Sequence, residues 1–104
     1  MLLAEKFAHA LEAKFNASEV GSQFPTHYTL EVERGVKFDR ITISRDGHKS
    51  VHAFVERATG ALIKPAGYKA PAKLKSGWAT KYNLITEFEK TLAVADKYGG
   101  YLYQ

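Results

Sequence analysis

Five lysines and three aromatic rings crowd one late stretch of this chain, and they are the residues most able to do chemistry. Lys64, Lys69, Lys73, Lys75 and Lys81 are interleaved with Tyr68, Trp78 and Tyr82, while Pro65, Gly67, Pro71 and Gly77 interrupt any sustained period. Ammonium groups draw phosphates whatever the sequence, flat rings stack on bases, and a Gly/Pro-containing loop leaves backbone amides free to meet anions. That combination is what a nucleic-acid surface requires. The expected interface is therefore Lys64, Lys69, Lys73, Lys75 and Lys81 on phosphates, with Tyr68 and Trp78 stacking or wedging. A purely structural role fits the same residues: the lysines keep a long loop solvated while Trp78 and Tyr82 anchor it on the core.

The distribution of charge singles out the same region. From Arg57 to Thr86 there are six basic residues and no Asp or Glu, whereas the rest of the 104-residue chain holds nine basic against eleven acidic residues. The formal charge of +4 is thus a +6 segment joined to a −2 remainder.

Other chemistries find less support. Zero cysteines exclude a disulfide scaffold, a thiolate metal site and a cysteine nucleophile. His9, His27, His48 and His52 have no metal-ligand spacing, and only His27 and His52, on strands expected to be neighbours, could meet. Glu31 and Glu33 share a face by a period of two, which reads as a solvated sheet face matched by Arg45 or Arg57 rather than an acid–base pair. Neither a phosphate-cradling Gly-rich loop, nor a nucleophile elbow, nor a His-Glu helix motif is present. A binding protein without metal or cofactor is expected, not an enzyme. Glu5, Lys6 and His9 interrupt the first ten residues, so a signal peptide is not expected, and no run is long enough to span a bilayer. The expected location is cytoplasmic.

The elements that must position these residues read as a single α+β domain. Leu3, Phe7, Leu11 and Phe15 recur at i+4 among alanines, which predicts an amphipathic helix over about residues 2–15. From Tyr28 the period becomes two, with Leu30 and Val32 alternating with Glu31 and Glu33. Val36 and Phe38 conflict in phase with Ile41 and Ile43, so the next strand either contains a bulge near Asp39-Arg40, the preferred reading, or starts late. Asp46-Gly47 and Ala58-Thr59-Gly60 mark two hairpin turns. Residues 64–82 read as a long basic loop. Thr86 with Glu89 forms a capping-box pattern, and Gly99-Gly100 is the expected stop of a second helix. The result is an antiparallel meander of three to four strands with an N-terminal and a C-terminal helix packed on one face, the other face partly open to solvent.

The stretch Lys64-Pro65-Ala66-Gly67-Tyr68-Lys69-Ala70-Pro71-Ala72-Lys73, following Phe54-Val55-Glu56-Arg57-Ala58-Thr59-Gly60, resembles small bacteriophage-encoded proteins of unassigned function that carry a motif like Lys-Ala-Ala-Ser-Trp-Lys-Ala-Pro-Ala-Lys. The resemblance covers Ser50 to about Leu84 and departs at Tyr68, where Trp is more usual. It implies a phage origin and the host cytoplasm, and no activity. Two functions stay open: a nucleic-acid-binding accessory protein, or a module that binds a host protein through the exposed sheet face or the Tyr98–Tyr103 tail. Either could act as a monomer or a homodimer.

Overall fold

The computed structural model describes residues 2–103. Helix α1 (Leu3–Ala17) is closed at its first turn by the Leu2 amide, which donates to the Glu5 carboxylate at 2.8 Å. Its apolar stripe, Ala4, Phe7, Ala8, Leu11 and Phe15, is fully buried. Each large member contributes on the order of 1.5–3 kcal/mol by leaving water.

Strands β1 (Tyr28–Arg34), β2 (Phe38–Arg45), β3 (His48–Glu56) and β4 (Ala61–Ile63) form the expected antiparallel meander. Segment 64–82 is more structured than a loop. It contains a small hairpin, β5 (Lys73–Leu74) with β6 (Gly77–Trp78), and then β7 (Thr80–Asn83), which pairs with β4 and widens the main sheet to five strands in the order β1-β2-β3-β4-β7. Helix α2 (Phe88–Val94) and a 3-10 turn (Gly100–Leu102) complete the chain. Both helices pack on one face, where Phe7 meets Phe88 edge-on at 5.5 Å above Leu30, Ile41, Ile43, Val55 and Leu62.

The phase conflict in β2 is resolved without a bulge there. Val36 lies in the turn, and β2 pairs with β1 residue for residue, which puts Phe38 on the sheet face opposite Ile41 and Ile43. The bulge is on β3 instead: Ile41 pairs with Ala53 and Thr42 with Val51, leaving His52 as the extra residue. His27 precedes β1, and β2 separates β1 from β3, so the two histidines that could have met are not on neighbouring strands. Helix α2 stops at Val94 rather than at Gly99, because Ala95 turns extended. Thr86 does not cap it; the Asn83 side chain accepts from the Ile85 and Thr86 amides ahead of the helix.

The outer edge of β1 is already partnered by α1. Asn16 mimics a neighbouring strand, accepting from the Tyr28 amide and donating to its carbonyl, both at 2.8 Å, and Glu12 accepts from the Leu30 amide at 2.9 Å. Side chains that occupy edge groups in this way discourage pairing with a further strand. Among the described residues no helix is long and apolar enough to cross a membrane.

Candidate nucleic-acid interface

The basic segment is a strap laid across the sheet face that the helices leave uncovered. Lys64, Ala72 and Ala79 form a backbone ladder: Ala72 donates to Lys64 at 2.8 Å, Ala79 to Ala72 at 3.0 Å and Lys64 to Ala79 at 3.3 Å. Ala66 closes the intervening turn by donating to Ala70 at 3.0 Å. Under the strap lie Phe54 and Ile63, directly opposite each other on β3 and β4 and both buried. The second face is open only in part: the strap covers these side chains, while Glu31 and Glu33 on β1 stay exposed.

Where the strap passes the β1–β2 turn it leaves a cleft of about 490 Å³, lined by Arg34, Lys37, Arg40 and Lys69 on a floor of Phe38 and Phe54, with Glu33 as its one carboxylate. The turn that forms one wall is held rigidly. The Arg57 guanidinium contacts both carboxylate oxygens of buried Asp39, at 2.6 and 3.2 Å, and donates to the Gly35 and Val36 carbonyls. A Cβ on Gly35 would collide with the Phe38 carbonyl oxygen, so the tight turn needs glycine there. Arg57, one of the six cations of the +6 segment, is therefore neutralised; Asp39 in turn raises its pKa.

The aromatic side chains are occupied by cations. Trp78 meets Phe38 edge-on at 4.8 Å, and the Lys37 and Lys73 ammonium groups lie over its ring at 5.6 and 5.2 Å. Lys37 also pairs with Glu56 at 3.5 Å. The Glu56 carboxyl is held below its ordinary range, first by the Thr59 hydroxyl and further by Lys37 and the Trp78 indole. Arg40 lies over Tyr68 at 4.7 Å and over Phe54 at 5.9 Å, and it pairs with Glu33, which also accepts from the Tyr68 hydroxyl.

Of the seven residues expected to form the interface, the structure brings Lys69, Lys73, Tyr68 and Trp78 to this cleft and its rim, with Lys75 in the turn of the adjoining β5–β6 hairpin. Lys64 lies elsewhere, over Tyr103 at 5.0 Å, and Lys81 sits on the edge strand β7. Among the described residues none of the five lysines forms an ion pair. Sequence reading missed Arg34, Lys37 and Arg40. Their signal, three cations around Gly35, is visible in the sequence, but only the fold brings it to the strap. Among the described residues no group of three or more His, Asp or Glu could hold a metal ion.

The chain belongs to DUF7717, a family of unknown function whose family model matches residues 2–104. No curated protein and no solved structure matches it.

Proposed function

We propose that the protein binds nucleic acid without sequence preference, through the cleft between the β1–β2 turn and the basic strap. The observation that carries this reading is the convergence of Arg34, Lys37, Arg40 and Lys69 on one cleft, with Lys73 and Lys75 on the neighbouring hairpin and a single carboxylate in the lining. Fixed cations on one face attract a phosphate backbone, and contacts of that kind carry no base preference. Lys64 and Lys81, away from the cleft, drop out of the expected contact set.

The test compares two double variants of equal net charge by fluorescence anisotropy on a labelled oligonucleotide at low salt. Lys69→Gln with Lys73→Gln weakens binding by about tenfold or more, whereas Lys64→Gln with Lys81→Gln changes it by less than about threefold. Equal losses in the two pairs would refute a localised site.

A second reading, a module that binds a host protein, has its own observation. Val20 and Phe24, in the connection between α1 and β1, are each more than four-fifths exposed. Of the surfaces first expected for such a partner, the strap covers the β3–β4 part of the sheet face, and in the tail Tyr101 and Leu102 are buried while Tyr98 and Tyr103 stay exposed. Nuclease-treated pull-down of the Phe24→Ser variant tests it, since a protein partner retained after nuclease and lost with Phe24 would favour this reading. The likeness of residues 64–73 to phage-encoded proteins supports a phage origin and action in the host cytoplasm.

A further inference from the structure

We infer that the ligand of this cleft is held through its phosphates alone, with its bases unread, and that the aromatic rings serve to hold the cations. The inference rests on the nucleic-acid reading above and sets aside the expectation that Tyr68 and Trp78 stack on bases. Two ammonium groups lie over Trp78, and the indole is further engaged by the edge contact with Phe38. Arg40 lies over Tyr68, whose hydroxyl donates to Glu33 at 3.3 Å. A base stacking on the cation-bearing face of either ring must displace that cation. It would exchange a cation–π contact for a stacking contact, and would scatter the charges that attract the strand.

The opposite arrangement uses every observed contact. An ammonium over a ring keeps N–H donors for a phosphate, and its side chain has already lost much of the rotamer freedom that binding would remove. Lys37 is restrained twice, by the indole and by Glu56. Arg40 lines the same cleft, and its Nε is buried without an acceptor among the described residues. These are donors suited to an oxyanion, on a floor that offers no free ring.

The experiment uses the full chain and two labelled single strands of about 20 nucleotides, longer than a small domain's footprint, one normal and one wholly abasic. The two bind within about threefold of each other, because no stacking contribution is lost. Trp78→Phe, which keeps a ring for the cations, retains binding, and Trp78→Leu weakens both strands by the same factor; thermal melts verify that each variant is folded. An abasic strand weaker by more than about tenfold, or a Trp78→Leu loss confined to the normal strand, would overturn the inference while leaving nucleic-acid binding standing. If neither strand binds at low salt, the function proposed above falls and this inference falls with it.

Discussion

His52 is the extra residue of the β3 bulge, and the bulge turns it inward, where its Nε2 lies 2.7 Å from the Tyr101 hydroxyl and its ring stands 5.9 Å from Phe15. Burial lowers its pKa to about 4, a nearby Arg45 adding to the effect and Asp96 opposing it. An unfolded histidine titrates near 6.5. Between these values the unfolded chain takes up a proton that the folded chain refuses. Stability contributed by neutral His52 is therefore complete above about pH 6.5, falls as pH drops, and is lost near pH 4; the whole span is worth roughly 3 kcal/mol. Urea denaturation at pH 7 and pH 4.5 measures it: wild type loses about 2–3 kcal/mol more than His52→Gln, which still bonds Tyr101 but does not titrate. Equal losses would mean the imidazole is solvated. The Asp39–Arg57 pair makes a separate demand on stability. Asp39→Ala leaves Arg57 without its carboxylate and frees the turn, and it should cost about 2 kcal/mol in the same assay, less than a wholly buried pair because Arg57 is partly exposed. Neither role could be read from residue type, since Arg57 counted as positive charge or as a match for Glu31 and Glu33, and His52 as a strand histidine that could meet His27. Both depend on register, which only the pairing reveals.

Elements with a strong period were legible, and elements without one were not. Helix α1 and strand β1 announce themselves because one face of each must be apolar, so the buried set Phe7, Leu11, Phe15, Leu30 could be taken from spacing alone. The strap could not. Its order comes from the Lys64–Ala72–Ala79 ladder, formed between alanines and a lysine whose side chains carry no pattern, and from ring contacts with Phe38 and Arg40 more than 20 residues earlier in the chain. Helix α2 ended sooner than its glycines indicated for a similar reason. The Lys14 ammonium, reaching from α1, donates to the Leu92, Ala93 and Ala95 carbonyls at 2.7, 3.0 and 2.8 Å and caps the helix from outside. Lys14→Met keeps the stem but removes that cap. It should destabilise the domain by about 1–2 kcal/mol, with amide exchange accelerated in 92–95 before the rest of the sheet. Uniform acceleration across the sheet would instead place the cost in the core.

Across the whole molecule, what the sequence conveyed was the uneven charge; what it withheld was where that charge ends up. The +6 segment loses Arg57 to Asp39 and sends Lys64 and Lys81 away from the cleft, yet it gains Arg34, Lys37 and Arg40 from a turn outside its limits. Cationic surface is thus concentrated by folding rather than by sequence proximity. The partition also explains why two carboxylates, Glu33 and Glu56, are tolerated nearby: each is engaged by a cation already held against a ring. The most direct test of the account is the salt dependence of binding to a labelled single strand, followed by anisotropy over a series of monovalent salt concentrations. Arg34, Lys37, Arg40, Lys69, Lys73 and Lys75 on phosphates predict that the logarithm of affinity falls linearly with the logarithm of salt, with a slope near −4. A flat line, or no binding even at the lowest salt, would contradict it.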